Sequence, residues 1–157
     1  MMFVGEGWGK SAAAYGYATR SAGRGWETMV VQFVKGGAWN PAEREVATQV
    51  GIEWPSFTNA LTWAADDPAV LGERAWSSAR SAIESGRYGL VVLDELTHAV
   101  ASGWVSETDV LETLRARAAT TSVIITGRSA SRRLRAMADT ITRFDLVKHR
   151  EKRGILE

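Results

Sequence analysis

The stretch Val4-Gly5-Glu6-Gly7-Trp8-Gly9-Lys10-Ser11 follows a short apolar run and leads directly into a segment with helical character. Its three alternate glycines let the main chain approach a ligand closely, because no Cβ stands in the way. A helix that begins after them adds main-chain N–H donors, and Lys10 adds a cation. Phosphate oxygens are the ligand that this combination suits. The stretch therefore predicts a triphosphate-binding loop, a P-loop, between a strand and a helix.

A second apolar run, Val91–Leu93, ends in the two carboxylates Asp94 and Glu95. Acids at the end of a strand beside the loop can hold Mg²⁺ and orient its water, with the Ser11 hydroxyl as a further ligand. We expect this strand to be the direct neighbour of the strand that precedes the loop. A third apolar strand ends in Thr126-Gly127-Arg128, which predicts a cation at the same edge of the sheet.

Apolar runs alternate with amphipathic segments along the whole chain. The predicted strands lie at 1–4, 28–34, 90–93, 122–126 and 140–147. The predicted helices lie at 10–22, 41–50, 68–85, 106–117 and 130–138. Apolar runs without polar alternation are typical of strands covered on both faces. The pattern predicts an α/β, P-loop NTPase-like fold with a mainly parallel sheet flanked by helices, and residues 1–157 as a single domain.

The composition excludes several classes of function. A formal net charge of +1 gives no global field that would recruit nucleic acid or an anionic membrane. The chain has no cysteine, so disulfides, thiolate metal sites and cysteine nucleophiles are excluded. No apolar stretch approaches the roughly 20 residues that a membrane span needs. These features predict a cytoplasmic protein without a membrane or nucleic-acid partner.

Further segments accompany the loop in a fixed order: Val30-Val31-Gln32-Phe33-Val34-Lys35-Gly36, Leu61-Thr62-Trp63, Val91–Leu96, Ile124–Arg128, Val147-Lys148-His149 and Gly154-Ile155. Together with Gly5–Ser11, this ordered set resembles the BtuR/CobO-type ATP:corrinoid (cob(I)alamin) adenosyltransferases. The resemblance covers the chain nearly from end to end. The loop alone would name no family, whereas the ordered set does.

The resemblance implies transfer of the 5′-deoxyadenosyl group of ATP to a reduced Co(I) corrinoid, with release of triphosphate. Because cobalt is the nucleophile, the protein has to hold C5′ in line with it and stabilise the leaving triphosphate. ATP, Mg²⁺ and a corrinoid (cobalamin) are the implied cofactors and substrates. The resemblance also implies a homodimer and a flavoprotein reductase as a partner.

The resemblance also implies roles for individual residues. Arg20, on the helix after the loop, would face the nucleotide as a catalytic residue, together with Glu95. Trp63 would press on the lower face of the corrinoid and displace its axial ligand, beside Leu61. Ser11, Asp94 and Glu95 would serve the metal. The nucleotide would contact Gly5, Glu6, Gly7, Trp8, Gly9, Lys10, Ser11, Ala12 and Arg128.

Three positions depart from the family pattern: Glu6 replaces an asparagine, Trp8 a lysine and Leu61 a phenylalanine. Two alternatives stay open at this point. One is a non-catalytic module that binds ATP or adenosylcobalamin. The other is a P-loop phosphotransferase or ATPase, although the sequence offers no obvious lid segment or arginine finger for γ-phosphoryl transfer.

Overall fold

The computed structural model describes residues 1–34, 42–57 and 67–148. Its strands are β1 (Met2–Val4), β2 (Thr28–Gln32), β3 (Leu90–Asp94), β4 (Ser122–Thr126) and β5 (Ile141–Arg143). They form one sheet in the order β2-β3-β4-β1-β5, and every pairing is parallel. All carboxyl ends of the strands therefore lie at one edge of the sheet, and all amino ends lie at the other.

The helices are α1 (Lys10–Gly23), α2 (Ala42–Gln49), α3 (Pro68–Ser85), α4 (Leu96–Ala101), α5 (Glu107–Ala116) and α6 (Arg132–Ala136). They cover both faces of the sheet. Alternate residues of each central strand point to opposite faces, so each face has its own core. One core cluster joins α1 to Val30, Val92 and Ile124. The other joins α3 and α5 to Val31, Leu93 and Ile125. The continuous apolar runs are explained by this burial on both faces.

The α/β class and the parallel sheet predicted from the sequence are confirmed. The predicted strand at 122–126 and the predicted helix at 68–85 have the bounds that the structure shows. The predicted strand at 140–147 is too long, because the chain leaves the sheet after Arg143 and packs on the glycine-rich loop. Helix α6 begins later than predicted, since Ser131 caps it through a bond from the Leu134 N–H.

Two further differences concern the neighbourhood of the loop. The sequence did not predict α4, a helix of only 6 residues that starts directly after Glu95. The expectation that β3 neighbours β1 is wrong, because β4 lies between them. The carboxylates after β3 are therefore separated from the loop by the end of β4. Within the described residues, no helix is both long and apolar enough to cross a membrane.

Candidate functional site

The glycine-rich loop, residues 5–9, connects β1 with α1 at the carboxyl-end edge of the sheet. Gly9 has φ +98° and is the N-cap of α1. Two neighbouring chain segments hold the loop by main-chain bonds. The Gly5 N–H donates to the carbonyl oxygen of Arg128, and the Gly7 N–H donates to that of Phe144, both at 2.8 Å. The ends of β4 and β5 thus fix the shape of the loop.

Gly5 and Gly7 are glycines because the backbone after β5 presses on them. A Cβ at Gly5, where φ is +116°, would lie 2.2 Å from the carbonyl oxygen of Phe144. A Cβ at Gly7 would lie 2.7 Å from the carbonyl carbon of Phe144. Two of the alternate glycines therefore serve the fold itself, in addition to any close approach of phosphate. The sequence held no signal for this role of Phe144.

The first turn of α1 carries the polar groups predicted for phosphate. Lys10 folds back over the loop, where its Nζ donates to the Gly7 carbonyl oxygen at 2.8 Å. Ser11 and Ala12 follow it, and their main-chain N–H groups belong to the helix N-terminus, which carries a partial positive charge. The ammonium group, the helix end and the loop meet at one place.

Asp94 ends β3 and is completely buried. Its Oδ2 accepts from the Tyr15 hydroxyl at 2.7 Å and from Gln32 Nε2 at 3.2 Å. Its Oδ1 accepts from the Thr126 hydroxyl at 2.7 Å. All three donors are neutral, and the described part of the chain shows no ion pair at this carboxylate. The carboxylate is therefore hydrogen-bonded, but no basic side chain in the described part of the chain balances its charge.

Tyr15 connects this carboxylate to the loop. The ring is buried on α1, and the hydroxyl lies between Asp94 and Gln32, which donates to it at 3.3 Å. Burial raises the pKa of Tyr15 far above its usual range, and the neighbouring Asp94 charge raises it further. Ser11, one helical turn earlier, lowers this pKa by interacting with the same hydroxyl. Tyr15 was missed in the sequence, although its spacing of four from Ser11 places both on one helix face.

Glu95 has φ +59°, and no other described residue apart from glycines has a positive φ. A non-glycine residue in the left-handed region costs roughly 1 kcal/mol or more and is held only by its surroundings. Here the Glu95 N–H donates to the Thr126 hydroxyl at 2.9 Å, while α4 starts directly behind it. Thr126 therefore bonds both predicted metal residues, Asp94 and Glu95. Such strained positions cluster at functional sites.

A weak ion pair joins Glu6 of the loop to Arg128, which follows β4. A guanidinium nitrogen of Arg128 is 3.9 Å from a carboxylate oxygen of Glu6, and both side chains are well exposed. An exposed pair at that distance contributes little to stability, about 0–1 kcal/mol. Arg128 is therefore able to exchange this partner for an anionic ligand. Trp8, between the glycines, has an indole that is half exposed.

Arg20 lies in the last turn of α1, with its guanidinium 5.3 Å from the centre of the Tyr17 ring. At about 1.5 Å per residue, its Cα is roughly 15 Å along the helix axis from that of Lys10. The structure therefore does not bring Arg20 into the cluster around the loop. Leu61 and Trp63, predicted to contact the corrinoid, lie outside the described residues.

The donor set at the carboxyl-end edge fits Mg²⁺. The described residues contain no group of three or more His, Cys, Asp or Glu side chains that would enclose a metal. Mg²⁺ needs no such cage, because it is commonly bound by one or two carboxylates together with substrate phosphates. A carboxylate has about four lone-pair positions, and three at Asp94 are used by neutral donors. Its charge, which no basic side chain among the described residues balances, suits a nearby cation.

Comparison with known proteins gives one consistent result. The family model described as "ATP:corrinoid adenosyltransferase BtuR/CobO/CobP" matches residues 1–157. A corrinoid adenosyltransferase of Escherichia coli K12 is 35% identical over 99% of this chain and 80% of its own length. The corrinoid adenosyltransferase CobA of Salmonella typhimurium gives the same figures. A corrinoid adenosyltransferase of Pseudomonas aeruginosa is 37% identical over 99% of this chain and 78% of its own length.

Proposed function

The chain belongs to the ATP:corrinoid adenosyltransferase family BtuR/CobO/CobP, and from this premise we propose that it transfers the 5′-deoxyadenosyl group of ATP to a reduced corrinoid at the glycine-rich loop. The electron pair of Co(I) forms a cobalt–carbon bond with C5′. The bond between C5′ and the triphosphate oxygen breaks, and its electron pair leaves with the triphosphate. The reaction therefore needs no nucleophile from the protein, which agrees with a chain that has no cysteine.

One observation carries the proposal: the phosphate-binding half and the carboxylate half of the site are joined through buried side chains. Lys10 and Ser11 begin the helix on which Tyr15 lies, and the Tyr15 hydroxyl donates to Asp94 across the sheet edge. A leaving triphosphate gathers negative charge, which preorganised donors stabilise best. We assign this role to Lys10, to Arg128 and to the N–H groups of the first turn of α1. The loop residues Gly5, Glu6, Gly7, Trp8 and Gly9, together with Ala12 of α1, would surround the triphosphate.

We propose that Ser11, Asp94 and Glu95 would hold Mg²⁺ together with the triphosphate. The ion would neutralise part of the triphosphate charge. Asp94 is held by three hydrogen bonds, so it acts best through a water molecule or through Tyr15. Glu95 is half-buried, and its backbone lies in the left-handed region.

The corrinoid side of the site rests on the family resemblance. We propose that Trp63, beside Leu61, displaces the lower axial ligand of the Co(II) corrinoid, which makes its reduction to Co(I) easier. Arg20, which the resemblance also assigns to the nucleotide, lies roughly 15 Å along α1 from Lys10 and has no part at the loop itself. A homodimer, a flavoprotein reductase as electron donor, a cytoplasmic location and a single domain over residues 1–157 complete this proposal. The lack of cysteine fits a reducing compartment.

An anaerobic assay with ATP, Mg²⁺ and chemically reduced cobalamin tests the reaction. We expect triphosphate and a cobalt–carbon bond in equal amounts. ADP with phosphate as the products would instead indicate a phosphotransferase or an ATPase. Binding of ATP without turnover would indicate a carrier or sensor of adenosylcobalamin.

The role of Trp63 has a separate test. Electron paramagnetic resonance of the Co(II) complex with ATP should show four-coordinate cobalt in the wild type and lose it in Trp63→Ala. ATP binding should stay intact, and pre-reduced Co(I) substrate should restore much of the activity, because the change affects formation of the nucleophile. Identical spectra with only five-coordinate cobalt would refute this role of Trp63.

A further inference from the structure

Tyr15 lies where the phosphate loop and the carboxylate of β3 come closest through buried side chains. It stands on α1, one turn after Ser11, and its ring packs against Trp54 with the ring centres 4.7 Å apart. Only 8% of the residue is exposed. Packing therefore fixes the ring, and the position of the hydroxyl follows from it.

The direction of each hydrogen bond at this hydroxyl can be deduced. An ionised carboxylate only accepts hydrogen bonds, so the single proton of the Tyr15 hydroxyl is donated to Asp94, at 2.7 Å. With its proton committed, the Tyr15 oxygen can only accept from its other neighbours. Gln32 Nε2 is one such donor, at 3.3 Å. Ser11 lies one turn earlier on the same face of α1, and because the Tyr15 oxygen can only accept, a hydrogen bond between the two hydroxyls requires Ser11 to be the donor.

The same logic holds on the other side of the carboxylate. Thr126 donates its hydroxyl proton to Asp94 Oδ1, and its oxygen then accepts from the Glu95 N–H. Asp94 thus fixes the proton of each hydroxyl that contacts it. On the loop side, a Ser11 hydroxyl that donates to Tyr15 keeps its lone pairs available for another partner.

We propose that Tyr15 is a positioning residue that orients the Ser11 hydroxyl so that its lone pairs face the cation of a bound metal–triphosphate. This role rests on the proposed function, because it requires Mg²⁺·ATP at the loop. Asp94 then influences the metal through two hydroxyl groups, and it need not bind the ion itself. This arrangement suits a carboxylate that is completely buried and already holds three hydrogen bonds.

Tyr15→Phe tests this role, because it removes the hydroxyl and keeps the ring against Trp54. Isothermal titration measures the affinity for ATP with Mg²⁺ and with the metal chelated. We expect Tyr15→Phe to lower the affinity for Mg²⁺·ATP about tenfold, as the loss of an outer-shell partner of a metal ligand commonly does. The affinity for metal-free ATP should change by less than about twofold.

Tyr88→Phe is the matched control. Tyr88 is also buried and also donates to a carboxylate at 2.7 Å, that of Glu53, but it lies at the amino-end edge of the sheet. Denaturant unfolding should show a similar loss of stability in both variants. Only Tyr15→Phe should change the effect of Mg²⁺ on ATP binding.

A double-mutant cycle with Ser11→Ala shows whether Tyr15 acts through Ser11. In the Ser11→Ala background, Tyr15→Phe should change the affinity for Mg²⁺·ATP by less than about twofold, since no hydroxyl is left to orient. Equal losses in both backgrounds would overturn the proposal. So would a Mg²⁺·ATP affinity that Tyr15→Phe leaves unchanged while the wild type depends on Mg²⁺. A wild type that binds ATP equally well without Mg²⁺ would refute the metal site of the proposed function, and this role with it.

Discussion

The two edges of the sheet carry the same hydrogen bond in different electrostatic surroundings. At the carboxyl-end edge, the Tyr15 hydroxyl donates to Asp94 at 2.7 Å. At the amino-end edge, the Tyr88 hydroxyl donates to Glu53 at 2.7 Å. Glu53 also forms an ion pair with Arg87 at 2.5 Å, and Arg87 pairs with Glu27 as well. Among the described residues, Asp94 has no such basic partner.

The difference separates a cluster whose charges are balanced within the protein from one whose charge is not. At the amino-end edge, the charges of Glu27, Glu53 and Arg87 are satisfied within the protein, and the cluster ties the starts of β2 and β3 together. At the carboxyl-end edge, the buried charge of Asp94 is met by neutral donors only. A buried carboxylate without a cation is costly unless something else compensates it. A ligand that carries its own cation would compensate the charge of Asp94.

Lys10→Ala should give the largest effect at the carboxyl-end edge. We expect it to abolish most ATP binding, a loss of about 2–3 kcal/mol, because a charged hydrogen bond to phosphate disappears. Stability should change by less than about 1 kcal/mol, since within the described part of the chain the hydrogen bond of Lys10 Nζ is to the Gly7 carbonyl. Isothermal titration and urea unfolding measure the two effects.

Arg87→Ala is the control for this prediction at the amino-end edge. It should lower the stability and leave ATP affinity unchanged, because Arg87 pairs with Glu27 and Glu53 at the edge opposite the loop. An unchanged ATP affinity in Lys10→Ala would contradict the assignment of the phosphate loop.

Asp94→Asn and Glu53→Gln compare the two carboxylates directly. We expect Asp94→Asn to reduce turnover at least about a hundredfold, as losses of charged groups at a reaction site often do. It should also destabilise the protein by roughly 1–3 kcal/mol, because an amide nitrogen cannot accept from the donors around it. Glu53→Gln should lower the stability and keep wild-type turnover. Steady-state rates across a Mg²⁺ titration measure this contrast, and equal rates for the two variants would contradict it.

Gly7→Ala should have a moderate effect, and Gly16→Ala the opposite one. The added Cβ at Gly7 would lie 2.7 Å from the backbone of Phe144, so we expect a loss of about 1–3 kcal/mol even without a ligand. Gly16, in the middle of α1, has no atom within 4 Å of such a Cβ, and alanine there should stabilise by roughly 0.5–1 kcal/mol. Thermal unfolding of the nucleotide-free protein measures both. A Gly7→Ala variant as stable as the wild type would show that the loop glycines serve only the ligand.

The sequence predicted the loop, the strands and the edge at which the site lies, because glycine spacing and apolar runs are local signals. It did not predict that β4 lies between β1 and β3, since strand order depends on contacts between distant segments. Phe144 was missed for the same reason: its contact with Gly7 is main-chain and carries no residue-specific signal. The helical spacing of Tyr15 from Ser11 could have indicated that both lie on one face of α1. Its partner Asp94, however, is 79 residues away in the sequence.

The smallest expected effect concerns the alkaline stability of the amino-end edge. Burial raises the pKa of Tyr88 from 10.0 to about 12, and the bond to Glu53 adds to the rise. The folded protein therefore keeps a proton that the unfolded chain loses above pH 10, so this contribution is full below pH 10 and is lost as the pH rises through about 12. Tyr88→Phe has no such proton, and its free energy of unfolding should fall less steeply across this range than that of the wild type. Urea unfolding at a series of pH values measures the two slopes. The slopes of wild type and Tyr88→Phe should be equal below pH 10. Equal slopes above pH 10 would show that the Tyr88 pKa is the same in the folded and unfolded states.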